Sequence, residues 1–163
     1  MSVGDVTATT RGSGARFNDG KPDLSLIPVE ILVNAQRSAT TTSNVLSDRI
    51  IYMLRDLSTW QITGDISCLY DAFLQLHNPL NEAAHVFEYG AKKYAAWNWA
   101  KGMRWSVPVG CIGRHALAAL RNELTDPESG WSHEGHIACN LIMLIHFNHY
   151  FPEGDDITYS RIL

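Results

Sequence analysis

The sequence has few cysteines, no excess of positive charge and no long unbroken apolar run. Its three cysteines, Cys68, Cys111 and Cys139, are odd in number, widely spaced and set among apolar neighbours. That excludes a disulfide-stapled scaffold and points to a reducing compartment, with the two later cysteines as core residues. A formal net charge of -4 and a pI near 5.9 argue against a binder of duplex nucleic acid, which needs a basic face. Free nucleotides stay admissible, because a metal ion can supply positive charge. The longest apolar stretch, 137–147, contains Asn140 and His146, and no early apolar segment follows a basic one. No membrane contact is expected, and the cytoplasm is the expected location. Two further absences matter: a glycine-rich phosphate loop ending in Lys-Ser/Thr, and a His-Asp dipeptide. Without them two common phosphohydrolase classes drop away.

What is present fits one domain, since 163 residues at 45% hydrophobic content suffice for a continuous core. Residues 1–15 (MSVGDVTATTRGSGA) are small and polar and are expected to form a flexible tail before a single domain over 16–163. Asp19-Gly20 marks a turn, and Pro28 opens a short helix through Val29, Ile31, Leu32 and Ala35. After a polar break at 38–44, Leu46, Ile50, Met53, Leu54 and Leu57 recur at helical spacing, and a further helix is expected over 67–76. The next runs from Asn81, as N-cap, to Tyr94. An aromatic segment, AAWNWAKGMRWSVP, is broken by Gly102 and Pro108 and suits a loop that walls a pocket. Helical spacing resumes from Val109 to Glu123, an acidic turn follows at 125–130, and a last helix spans His133 to Tyr150. The absence of strand alternation here makes the expected fold all-α, an antiparallel bundle. The last helix is apolar around most of its circumference (Ile137, Leu141, Leu144, Ile145), so a homodimer or homotetramer is expected.

His133, His136 and Asn140 are three and four residues apart and share one helical stripe. His115 and Glu123, eight apart, face broadly together, and the turn adds Asp126 and Glu128. Two antiparallel helices joined by this turn bring carboxylates and imidazoles into one neighbourhood, a donor set suited to magnesium, manganese or zinc. The other reading makes the acids solvated turn charges and the histidines core groups. Glu134 lies off the stripe and is read as surface. Lys92, Lys93, Lys101, Arg104 and Arg114 lie beside the aromatic loop, where cations can meet phosphate and Trp97, Trp99 or Trp105 can stack on a base. Taken singly, these are surface cations and core fillers.

The strings GKPDLSLIP, VFEYGAKKYAAWNWAKGMRW and GRHALAALRNELTDPESGWSHEGH, with Asn140 after them, resemble the phage dATP/dGTP diphosphohydrolases, the MazZ type of MazG-like enzymes. The resemblance covers about residues 14–35 and 81–147, which leaves 36–80 as a helical insertion. It implies a MazG-like helical bundle that works as an oligomer, in the host cytoplasm if phage-encoded. The implied reaction is metal-dependent hydrolysis of purine (deoxy)nucleoside triphosphates, dGTP foremost with GTP or dATP as alternatives, to monophosphate and pyrophosphate. Mg2+ or Mn2+ is implied as cofactor. From the spacing of the residues themselves, the expected ligands are some of His115, Glu123, Asp126, Glu128, His133 and His136, with Glu123 and Asp126 as the catalytic carboxylates. Lys21, Lys93, Asn98, Trp99, Arg104, Arg114 and Asn140 are implied to bind substrate. The sequence departs from the family's E-x-x-E and E-x-x-D pairs: His115 and Glu123 stand on the first helix, and His133 and His136 stand at the E-x-x-D spacing. The rival expectation is a non-catalytic helical oligomerisation module with a structural His/carboxylate metal site.

Overall fold

The computed structural model describes residues 2–3, 7–17, 20–29, 31 and 44–157. Among the described residues five α-helices of known bounds follow one another: α1 (Val45–Thr63), α2 (Ser67–Leu74), α3 (Pro79–Lys93), α4 (Ser106–Leu120) and α5 (His133–Tyr150). Among the described residues the only strand pairing is a two-residue antiparallel ribbon, Ser2–Val3 with Arg16–Phe17. The fold is all-α. Of the short helix expected after Pro28, Val29 and Ile31 are helical, while Leu32 and Ala35 lie outside the described residues.

Helix α1 is framed by local chemistry. The Asn44 side chain accepts from the Ser47 N–H while Ser47 bonds back to Asn44, and Gly64 closes the other end at φ 73°. Its apolar stripe, Ile50, Met53, Leu54, Leu57 and Trp60, is buried against the rest of the chain. Helix α3 starts at Pro79, two residues before the expected Asn81, because Asn78 takes a left-handed conformation (φ 46°) and proline suits the first turn. Helix α4 also starts early, at Ser106, whose N–H and hydroxyl both donate to the Asp156 carboxylate. Pro108 fits the first turn, where its missing N–H costs no helical bond. The same helix stops at Leu120, and Asn122 turns left-handed at φ 64°. Glu123 is therefore off the helix and does not share a face with His115, contrary to its spacing.

Helix α5 is the centre of the bundle and packs on α4, α3 and α2. The chain itself buries Ile137, Leu141, Leu144 and Phe147 completely. Ile145, the remaining member of that apolar set, is only partly buried, as is Ile142. Gly135 marks the tightest α3–α5 approach, where a Cβ would stand 2.9 Å from the Glu82 carbonyl oxygen.

Part of the polar N-terminal segment is hydrogen-bonded to the body of the chain. Gly12 and Gly14 donate their N–H groups to the carbonyls of Lys101 (2.6 Å) and Gly102 (2.7 Å), and Arg11 pairs with Glu153. A Cβ on Gly14 would lie 2.7 Å from the Gly102 oxygen, so only glycine allows the contact. Backbone hydrogen bonds, invisible to composition, dock residues 7–15 beside the aromatic loop.

Candidate metal centre and nucleotide pocket

Helices α4 and α5 are joined by a loop that folds back on itself. Asp126 N–H donates to the Trp131 carbonyl (2.8 Å), Gly130 N–H to the Asp126 carbonyl (2.7 Å) and His133 N–H to the Leu124 carbonyl (3.1 Å). The Ser132 hydroxyl then caps α5 by accepting from Gly135 N–H (3.0 Å) while donating to Glu82 (2.6 Å). This closure holds Asp126 beside the first turn of α5 and opposite His115 on α4. One ligand atom from each of His115, Asp126 and His133 lies within 4.8 Å of the others.

The Nδ1 atoms of His115 and His133 are 2.9 Å apart. That is an N–H···N hydrogen-bond distance between two imidazoles. Without an ion, one neutral imidazole must donate to the other, and among the described residues His133 Nε2 is buried with no hydrogen-bond partner. His136 stacks on His115 with centroids 4.2 Å apart, and its Nε2 meets the Ser129 hydroxyl at 2.7 Å and Asp126 at 3.7 Å.

Burial fixes the protonation of this cluster. It pushes the His115 pKa down to about 2, helped by the neighbouring histidines and by Arg16, and that of His136 down to about 4, with Asp126 opposing. His133 is lowered for the same first reason. All three imidazoles are neutral at pH 7 and can ligate, so the residues present fit a divalent cation.

The cluster opens into a cavity of about 970 Å³ between α3, α4, α5 and the aromatic loop. That volume is in the range of small-molecule sites. Lys93 on α3 and Lys21 from the N-terminal segment both pair with Glu128, whose pKa falls to about 2, chiefly through the Lys93 hydrogen bond. Asn98 and Trp99 line the interior, Trp99 against Phe87 at 5.1 Å between centroids. Ala95 (φ 139°) and Trp97 (φ 62°) hold positive φ in this wall, a conformation that costs about 1–3 kcal/mol for each such residue. Arg114 lines the cavity while donating to the Pro22 carbonyl (3.0 Å), which ties the N-terminal segment to α4.

Several expected residues stand elsewhere or are otherwise engaged. Glu123 lines the cavity from the loop after α4, about half exposed, and pairs with Arg121. Arg104 is exposed and not among the lining residues, since Met103 and Trp105 on either side turn inward. Trp105 is a core residue, stacked on Trp60 and donating to the Phe151 carbonyl. Asn140 is buried with its amide committed inside the protein, accepting from Arg16 and donating to the His136 carbonyl (2.7 Å). Glu134 is not a free surface acid. Its side chain is 12% exposed and takes a two-pronged bond from Arg49 on α1, both at 2.9 Å.

Arg16 was not singled out by any spacing, yet it lines the cavity and bonds to Asn140. Its one sequence signal is a basic residue just ahead of the GKPDLSLIP string.

The family described as dATP/dGTP diphosphohydrolase, N-terminal, matches residues 66–157. This span includes His115, Asp126 and His133 and most of the cavity wall, but not α1, Arg16 or Lys21. No curated protein and no solved structure matches the chain. With more than half of its length matched, the chain belongs to the dATP/dGTP diphosphohydrolase family.

Proposed function

We propose that the protein hydrolyses purine deoxynucleoside triphosphates between the α and β phosphates, releasing nucleoside monophosphate and pyrophosphate. The observation that carries this reading is the convergence of His115, Asp126 and His133, two of them neutral imidazoles, on the wall of a nucleotide-sized cavity rimmed by lysines. Two imidazoles and one carboxylate favour Mn2+ or a similar transition ion over Mg2+, which prefers oxygen donors. The ion supplies charge stabilisation on the phosphates and a water of lowered pKa.

The remaining work falls to the chain's own groups. His115, His133 and Asp126 hold the cation, with His136 packed behind them against Ser129. Lys93 and Lys21 exchange Glu128 for phosphate oxygens, the two lysines outweighing the one carboxylate and so favouring an anionic substrate at the rim. Glu123, which is accessible at the cavity edge, is the carboxylate open to take the water's proton. Trp99 and Phe87 supply an apolar face for the base.

Product analysis on a panel of nucleoside triphosphates with Mn2+ or Mg2+ tests this reading. Monophosphate and pyrophosphate are expected from the purine deoxynucleotides, fastest with Mn2+. Diphosphate with inorganic phosphate would reject the α–β cleavage, and no turnover with any substrate or metal would favour the non-catalytic module.

A further inference from the structure

The loop between α4 and α5 is a closed unit whose aim is set from outside it. Within it Asp126 N–H donates to the Trp131 carbonyl, His133 N–H to the Leu124 carbonyl and Ser129 N–H to the Asp126 carboxylate (2.9 Å), while Thr125 and Ser132 pair in an antiparallel bridge. These bonds fix the shape of the loop. How it stands against His115 on α4 depends on its two ends, and the start of α1 reaches both.

At the end that leaves α4, the left-handed Asn122 accepts a hydrogen bond from the side-chain amide of Asn44 (3.2 Å). Asn44 is the N-cap of α1, and its side-chain oxygen accepts from Ser47 N–H (2.8 Å), which turns its amide NH2 toward Asn122. At the end that enters α5, Glu134 stands between His133 and His136 in the chain and takes both prongs of Arg49. Glu134 also accepts from His77 N–H (3.2 Å), in the link between α2 and α3. The ion pair is largely screened from water, the Arg49 side chain being 28% exposed. A two-pronged guanidinium–carboxylate contact fixes distance and orientation together, which a single bond between flexible side chains does not.

We infer that Arg49 is a positioning residue for the metal centre: through Glu134 it holds the first turn of α5, and together with Asn44 it braces the Asp126 loop so that Asp126 and His133 meet His115. This rests on the metal reading above. Helix α1 packs its apolar stripe on α2 and α4, and these contacts alone account for its place in the bundle. The two polar contacts serve a different end, since they fall on the two ends of the ligand-bearing loop. The family match starts at residue 66, beyond α1, so the centre is braced by a helix that the matched span leaves out.

The test uses the full chain and has two readouts. One is hydrogen exchange by nuclear magnetic resonance at the Asp126, Gly130 and His133 amides of metal-free protein, each compared with amides in the middle of α4. The other is Mn2+ affinity by calorimetry. The variants are Arg49→Met, Arg49→Lys, Asn44→Ser and, as a control, Leu54→Ala, which lowers the melting temperature by opening a cavity in the buried face of α1 and leaves the brace in place. Arg49→Met should cut the relative protection of the loop amides and weaken Mn2+ binding by about tenfold, the low end for losing an outer partner of a ligand. Arg49→Lys keeps the charge without the fork and should fall between Arg49→Met and the wild type. Asn44→Ser keeps a cap but removes the amide donor to Asn122, so it should loosen the loop to a smaller degree, which keeps the idea exposed even if Arg49→Met fails to fold. Leu54→Ala should leave both readouts at wild-type values. Unchanged loop protection in Arg49→Met, or an equal loss in Leu54→Ala, overturns the inference and leaves Arg49 as a tie that stabilises the fold. Loosened loop amides in a chain whose wild type binds no Mn2+ would keep the brace and reject the metal reading, whereas Mn2+ binding that ignores Arg49→Met would keep the metal reading and overturn this inference.

Discussion

The cavity holds two clusters of ionisable groups, and solvent separates their behaviour. In the inner cluster His115, His133 and His136 are stripped of charge by burial, with pKa values driven to about 2 for His115 and about 4 for His136. At the rim Lys21, Lys93 and Glu128 are partly exposed and are joined in ion pairs through Glu128. Exposed pairs contribute little stability and rearrange easily, which suits groups that must trade one anion for another. Buried neutral imidazoles cannot be exchanged that way: their lone pairs take a cation, a proton or a hydrogen-bond donor such as the Ser129 hydroxyl. The inner cluster is thus committed to one chemistry and the rim is adaptable.

The largest effect expected from this contrast comes from emptying the inner cluster. His133→Ala and Asp126→Asn should each lower turnover at saturating Mn2+ by on the order of a hundredfold or more, given that losing even an outer partner of a ligand costs 10–100-fold. Circular dichroism should show the helices intact. Rates within about threefold of wild type would return the cluster to a structural role.

Protonation attacks the same cluster in chelator-treated protein. The folded pKa of His136 lies near 4 against an ordinary 6.5, so the unfolded chain takes up a proton first. Stability is then fully present above pH 6.5 and is lost as pH falls toward 4, by roughly 3 kcal/mol for this residue alone at 1.36 kcal/mol per pKa unit. His115 adds to the loss in the same direction. Denaturant melts between pH 7 and 4.5 measure it, and the slope should flatten in a His115→Gln, His136→Asn double variant.

A smaller effect is expected next to the cluster. Glu134→Gln breaks the Arg49 fork that ties α1 to the start of α5, at a cost of about 1–3 kcal/mol, seen as a lower melting temperature. An unchanged melting temperature would show that α1 is held by its apolar stripe alone. The rim should respond least. Lys93→Ala should raise KM by about tenfold with a smaller change in kcat, the pattern of lost ground-state binding. Glu123→Gln should lower turnover less than Asp126→Asn, and Arg104→Ala should alter neither constant.

How much of this was legible in the sequence follows from the range of the interactions. Helices α1, α4 and α5 show in the 3.6-residue spacing of their apolar residues, and the histidine and Asp126 cluster shows because one short loop brings its members together. The helix ends were misplaced where a single residue changes hand. Asn122 ends α4 before Glu123, and Asn78-Pro79 starts α3 before Asn81, although asparagine at a helix end and proline in a first turn are both readable signals. What spacing cannot show is contact between distant segments. Arg49 meets Glu134 across 85 positions and Arg16 meets Asn140 across 124, so neither role was visible. The family match begins at residue 66, after both arginines.

The central claim is that His115, Asp126 and His133 bind a divalent cation through imidazole nitrogen. Pulsed electron paramagnetic resonance of Mn2+ added to the metal-free chain addresses it directly. The account predicts saturable binding with nitrogen couplings from histidine, weakened in His133→Ala and lost in a His115→Ala, His133→Ala double variant. Mn2+ bound with no nitrogen coupling, or with couplings unchanged in the double variant, would contradict it.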